Sequence, residues 1–237
     1  HGDEPARYWM HNNLVTIDGA KMSKSAGNFI TLEQLYSGEH ELLEQAWPPM
    51  VVRFLVLQSH YRSEIDFSNE ALNAAGKGYR KLVNTLDLLD EMDPSSFADS
   101  SNNPLDREAE KYCDACYETM SDDFNTARTL AVLFDISSLV NALYHGQKVR
   151  TELSQSWFQE LKKTYRTFLL DILGLQRDEG SSDSKTEELV QLLIELRADA
   201  RSAKDFETAD KVRGRLEKIG IRLKDEKSGK TTFEIVS

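Results

Sequence analysis

Lysine and serine alternate in one short stretch of this chain, Lys21-Met22-Ser23-Lys24-Ser25, which continues as Ala26-Gly27-Asn28. Two ammonium groups, two rotatable hydroxyls and a glycine that lets backbone N–H groups approach are what a triphosphate requires of a protein. Lysine supplies a compact point charge for phosphoryl oxygens, and Lys21 and Lys24 place two of them three residues apart. A solvated basic turn uses the same residue types, so composition alone leaves both readings open. Cys113 and Cys116 form a second pair that could do chemistry. A structural zinc site takes four ligands and no second cysteine pair exists, while a redox C-x-x-C opens a helix after a strand. Here the pair shares helical spacing with Leu105, Ala109, Tyr112 and Met120. Both thiols are therefore expected on a buried stripe, where free cysteine packs as a small hydrophobe.

The elements that must position these residues follow from periodicity. Leu14-Val15-Thr16-Ile17 leads into the basic stretch, and a segment beginning Phe29-Ile30-Thr31-Leu32 leaves it. Pro48-Pro49 predicts a helix start, with Met50, Phe54 and Leu57 on one stripe. Ser68 is the expected N-cap of a long helix with Leu72, Ala75, Tyr79, Leu82, Leu86 and Leu89 facing inward. Further helices are predicted near 104–120, 126–145 and 153–173. The second of these is capped by Asn125 or Thr126, with Leu130, Ala131 and Phe134 inward. The third has Leu161, Tyr165, Phe168, Leu169 and Ile172 on one side and ends at Gly174. Four such helices make a bundle. Residues 93–104 read as a loop, and Gly174 to Lys185 as a linker. Beyond it, Ser184 or Thr186 opens a helix carrying Leu189, Leu193, Leu196, Ala200 and Ala203. A second runs from Phe206 through Ala209, Val212, Leu216 and Ile219 to Gly220, and residues 221–236 read as a β-hairpin.

The net charge of −11 argues against a general nucleic-acid binder. The charge is uneven, however. Arg197 to Lys230 holds eleven basic and seven acidic residues, a local +4 against −15 elsewhere. Such a segment suits docking of one RNA, with Arg197, Arg201, Lys204, Lys211, Arg213 and Arg222 as candidate contacts; a charge-laced solvated surface is the competing reading. With 29% charged residues, a mean hydropathy of −0.52 and no apolar run near the ~20 residues of a membrane span, a cytoplasmic protein is expected. No signal peptide is read at the start, and two cysteines suit a reducing compartment.

The string Lys21–Ser25 is the KMSKS signature of class I aminoacyl-tRNA synthetases, and its surroundings resemble the cysteinyl-tRNA synthetases in particular. The likeness is carried by Tyr8-Trp9-Met10-His11-Asn12, Ser25-Ala26-Gly27-Asn28-Phe29 and Ser59-His60-Tyr61-Arg62-Ser63. It continues in Asp66-Phe67-Ser68, in Met120-Ser121-Asp122-Asp123-Phe124-Asn125-Thr126-Ala127, and in the stretch Arg197 to Leu223. Asn13 stands where the family usually has glycine. Lys230-Thr231-Thr232-Phe233 replaces the family's threonine followed two residues on by tryptophan, which leaves the anticodon contacts open.

The resemblance implies a mainly α chain in three parts. Residues 1–67 would be the end of a Rossmann-type catalytic domain with the KMSKS loop, 68–174 an antiparallel helical bundle contacting tRNA, and 186–237 a small α+β anticodon-binding domain. It implies ATP with magnesium and cysteine as substrates, and the tRNA for cysteine as partner. Lys21 and Lys24 would be the catalytic cations, and Lys21, Met22, Ser23, Lys24 and Ser25 the ATP-binding loop. The chain begins at His1 and has no His-Ile-Gly-His-like string, and the family's zinc ligands lie before its first residue. A C-terminal half, inactive alone, is therefore expected; the family implies a monomer, but the oligomeric state of the piece stays open. The alternatives are a non-catalytic RNA-binding module and the related cysteine ligase of mycothiol synthesis, which keeps the loop but has no need of an anticodon-reading domain.

Overall fold

Asp18-Gly19 is a two-residue turn signal, and both residues take positive φ, 49° and 75°. That geometry matches the twist of a tight hairpin, so β1 (Val15–Ile17) and β2 (Ala20–Lys21) pair antiparallel across it. The computed structural model describes residues 6–177, 183–202, 205–225 and 231–235. After the hairpin, Thr31 and Gln34 form a reciprocal capping box that opens α1 (Leu32–Ser37). Pro49 opens α2 (Pro49–Leu57), and β3 (Ile65–Asp66) returns parallel to β1. The sheet order is β2-β1-β3, with the two helices in the crossover that parallel strands require. The result is a small mixed sheet, antiparallel at β1–β2 and parallel at β1–β3.

Ser68 caps α3 (Asn69–Glu91), its hydroxyl accepting from the Ala71 N–H, and every residue of its predicted stripe is buried. Then follow α4 (Asp106–Ser121), α5 (Thr126–Tyr144, capped by Asn125) and α6 (Gln155–Arg166, capped by Ser154). Helix α5 packs against α2, α3, α4 and α6. It is long and apolar enough, by length and composition, to cross a membrane. That corrects the expectation that no run comes near a span. Its apolar character has a packing cause, since Leu130, Leu133, Ile136, Val140 and Leu143 are all buried in the bundle core. Ala131, expected inward, is exposed.

Helix α6 runs on as a π-helical turn over Thr167–Ile172, where the Leu173 N–H donates to the Phe168 carbonyl five residues back. The wider turn rotates the stripe. Leu173 is buried, and Ile172, predicted inward, is 39% exposed. Gly174 closes the helix at φ 63° and has the Arg53 guanidinium against it, so a Cβ there would meet Nη2 at 2.7 Å.

A separate unit covers 178–237. It comprises α7 (Asp183–Ser202), α8 (Phe206–Lys218) and an antiparallel hairpin of β4 (Ile221–Asp225) and β5 (Thr231–Ile235). Its core is Val190, Ile194, Leu216, Ile221 and Leu223, with Leu193, Val212 and Phe233 packed on it. The buried face of α7 is thus one position away from the predicted stripe, and Leu196 is exposed. On α8, Ala209 and Leu216 are buried, while Phe206 at its start and Ile219 at its end are exposed. Leu189's side chain, Ala203 and the hairpin turn lie outside the described residues.

Candidate functional site

The signature stretch begins on β2 and closes in a single 3₁₀ turn, Lys24–Ala26. Hairpin pairing extends one residue past the strand, the Met22 N–H donating to the Val15 carbonyl at 3.0 Å. Ser23 caps the turn, its Oγ accepting from the Ala26 N–H at 3.2 Å and lying 3.3 Å from Ser25 Oγ. Gly27 ends it at φ 73° with open space around its missing Cβ, so glycine is needed there for backbone conformation and not for clearance. Asn28 then ties the two ends together. Its Oδ1 accepts from the Ser23 N–H at 2.9 Å and its Nδ2 donates to the Lys21 carbonyl at 3.1 Å. The loop is therefore braced at its base. Lys21 and Lys24 are exposed, and neither makes an ion pair among the described residues. Lys24 Nζ lies 5.4 Å from the centre of the Phe29 ring, a cation–π contact that leaves the charge at the surface.

The hairpin below the loop is fastened by Asp66. Its carboxylate accepts from the Gly19 N–H at 3.0 Å and the Thr16 hydroxyl at 2.7 Å, and the Gly19 bond foremost holds the carboxyl below its usual range. Asp123, at the corner between α4 and α5, is held down at about 2 by hydrogen bonds from Arg62 and then Tyr61. The sequence pointed to Asp66 and Asp123 only as letters in the two resembling blocks, and Asn28 only as a neighbour of the signature. Their bracing roles appear once the backbone amides they serve are placed.

Cys113 and Cys116 are buried on α4, and burial pushes the Cys116 thiol up to about 12. They are core residues. Among the described residues no three His, Cys, Asp or Glu are grouped so as to hold a metal ion.

Two surfaces could receive an anionic polymer. On α3, Lys77, Arg80, Lys81 and Asn84 line, with Asn141 of α5, a concavity of about 400 Å³. The three cations there form no salt bridge among the described residues, and Lys81 lies over the Phe134 ring. In the C-terminal unit, Leu193, Val212, Leu216 and Ile219 floor a groove of about 430 Å³ rimmed by Arg215 and Lys218. Of the predicted RNA contacts, Arg201, Lys211 and Arg213 are exposed, and Lys211 pairs with Glu207 at 2.7 Å. Arg197 is buried, 5% exposed, on the core-facing side of α7, which removes it from the candidate surface. Its i, i+4, i+7 relation to Val190 and Ile194 was the signal for this. Lys204 and the Arg222 side chain lie outside the described residues.

Residues 1–77 match the model of the class I tRNA synthetase (C) catalytic domain, and residues 115–177 that of the DALR domain. Cysteine–tRNA ligase of Cytophaga hutchinsonii is 44% identical over 226 residues, covering 95% of this chain and 45% of the relative. The ligases of Bacteroides thetaiotaomicron and Chlorobium chlorochromatii are 41% and 36% identical, each over 96% of this chain and 45% of their own length. A LeuRS–tRNA–LeuAMS ternary complex from Agrobacterium radiobacter K84 aligns at TM-score 0.40 and 21% identity over 69% of this chain and 22% of that one, too remote to carry an argument. The model matched by residues 1–77, which hold the braced signature loop and its parallel-crossover sheet, is that of a class I tRNA synthetase catalytic domain. Within that class the chain belongs to the cysteine–tRNA ligase family. It spans about half the length of the curated relatives it matches, and that half is their C-terminal one.

Proposed function

We propose that this chain is the signature-loop and RNA-docking part of a cytoplasmic enzyme that activates cysteine with ATP and transfers it to its tRNA. The observation that carries the reading is the pair of exposed ammonium groups of Lys21 and Lys24, neither in an ion pair among the described residues, on a loop braced by Ser23 and Asn28. In the first step the cysteine carboxylate attacks the α-phosphorus of ATP, the bond to the β-phosphate oxygen breaks, and pyrophosphate leaves. Negative charge grows on the leaving group, and fixed cations beside it act most strongly at that moment. Lys24 lies on the turn itself and Lys21 at its base, so both can meet that charge, with Ser23 and Ser25 hydroxyls adding donors. The aminoacyl group then passes to the terminal ribose of the tRNA. ATP brings magnesium as part of the substrate.

The tRNA would be held by phosphate contacts at the α3 concavity of Lys77, Arg80 and Lys81. The C-terminal unit, residues 186–237, would read the anticodon region. Its groove, apolar on the floor and basic on the rim, suits a base laid on aliphatic side chains with its phosphate on Arg215 or Lys218.

In the full-length ligase, Lys24→Ala should slow ATP–pyrophosphate exchange by about 10²-fold, the usual cost of removing one preorganised donor to developing charge. Affinity for the tRNA transcript should hold within about twofold, because the loop is not among the surfaces assigned to RNA. Exchange at the wild-type rate would sink the assignment.

A further inference from the structure

Asp123 sits among three polar side chains at the corner between α4 and α5. Its carboxylate accepts from Tyr61 Oη at 2.6 Å, from Arg62 Nε at 2.8 Å and from Arg62 Nη2 at 3.3 Å, and His60 Nε2 stands 3.6 Å away. The backbone that presents it is unusual. Asp123 and Phe124 take φ of 55° and 52°, successive left-handed residues that both carry a Cβ. Asparagine and aspartate visit that region readily, but for a bulky side chain it is an outlier that surrounding structure must impose. Phe124 does not repay it by burial, being 57% exposed. Ion pairs at such exposure add little to stability. Stability therefore does not account for a strained corner and three donors on one carboxylate.

What the corner does hold is the segment next to the hairpin. The Asn13 N–H donates to the Tyr61 carbonyl at 3.0 Å, Asn13 Nδ2 to the Arg62 carbonyl at 3.0 Å, and the Ile65 N–H to the Leu14 carbonyl at 3.2 Å. The Phe67 N–H donates to the Thr16 carbonyl at 2.9 Å, and Asp66 fastens the Asp18-Gly19 turn. An unbroken run of hydrogen bonds thus leads from the α4–α5 corner, through residues 60–66, to β1 and on to Lys21. The covalent path between the corner and the loop is about a hundred residues long, whereas this path crosses two side-chain contacts.

We propose that Asp123 is a positioning residue: it fixes the β1–β2 hairpin, and with it the signature loop, against the helical bundle, so that engagement of the bundle and placement of the loop lysines are coupled. The catalytic part of this inference rests on the loop acting at ATP; the mechanical part does not.

The test uses the full-length ligase with Asp123→Asn, which keeps the size of the side chain and removes its charge. Hydrogen exchange of the amides of residues 15–27 should quicken at least threefold with the thermal midpoint unchanged, because the latch and not the core has been released. ATP–pyrophosphate exchange should slow by about tenfold, the scale of one charge-assisted hydrogen bond. That loss should nearly vanish when Lys24 is already alanine, since two residues acting through one loop are not additive. Unchanged protection of residues 15–27 overturns the coupling. Full additivity with Lys24→Ala also overturns it. If Lys24→Ala itself leaves exchange untouched, the ATP reading fails, and the hydrogen-exchange arm still decides the latch. Should Asp123→Asn not fold, Tyr61→Phe removes only the 2.6 Å hydroxyl bond and carries the same measurements.

Discussion

Asn28 shows how much one side chain can organise. Its amide bonds at both ends of the signature loop, to the Ser23 N–H and the Lys21 carbonyl, so two backbone groups that would otherwise turn to water are fixed within the loop. Asn28→Ala should lower protection of the Ser23 amide by about fivefold, the equivalent of one hydrogen bond of about 1 kcal/mol. The global thermal midpoint should stay put, since the loop touches no part of the core. Hydrogen exchange resolved to residues 21–28 would check this, and a Ser23 amide as protected as in the wild type would refute it. The lysines nearby need this bracing because a cation that must reorient at each turnover loses the advantage of being preorganised.

Among the elements, α2 and α3 approach each other closely at Gly78. Gly78 faces Phe54, whose ring is fully buried, edge-on to Phe134 and tilted against Tyr79. A Cβ at Gly78 would stand 2.9 Å from Phe54 Cε1 and 3.3 Å from Phe134 Cζ. Two effects compete in Gly78→Ala. Helix propensity favours alanine by about 1 kcal/mol, while overpacking a filled core costs typically 1–3 kcal/mol. With an immobile ring as the neighbour the second should win, leaving a net destabilisation of about 1 kcal/mol. In a Phe54→Leu background the same change should become stabilising, because the space it needs is then available. Chemical denaturation of the four proteins would show the change of sign, and the same sign in both backgrounds would count against the argument. The opening of α6 into a π turn belongs to this scale too: it rotates Leu173 rather than Ile172 into the core and lets the Arg53 Nε donate to the Leu173 carbonyl at 2.7 Å.

At the scale of the whole molecule, acid is the sensitive variable. Asp66 has its carboxyl held below the usual range in the fold, by the Gly19 amide first and the Thr16 hydroxyl with it. A depressed folded pKa contributes stability at pH above the unfolded value, about 4, and that contribution is lost as pH falls through the folded value. The exposed carboxylate of Asp123 adds little to this balance. The thermal midpoint of the 1–177 unit should therefore hold from neutral pH to about 4 and decline below it. In Asp66→Asn the decline below pH 4 should be shallower, measured by calorimetry across that range. An identical slope would mean that other carboxylates govern the acid limb.

Much of this protein was legible one turn at a time. The signature stretch, Ser68 and Asn125 as helix caps, Gly174 as a terminator and the stripe Leu72 to Leu89 are each specified by residues within a few positions of one another, so periodicity and capping chemistry suffice to read them. The family likeness followed from the same short strings. Tertiary structure decided the rest. Tyr61 and Asp123 are 62 positions apart and carry no local mark of their meeting. Arg197 reads as a surface base until α7 is packed against α8, and only then is it buried. A one-residue rotation of a helix changes no local preference but exchanges its buried and exposed faces, and what selects between the two is the shape of the neighbouring element, which no single segment encodes.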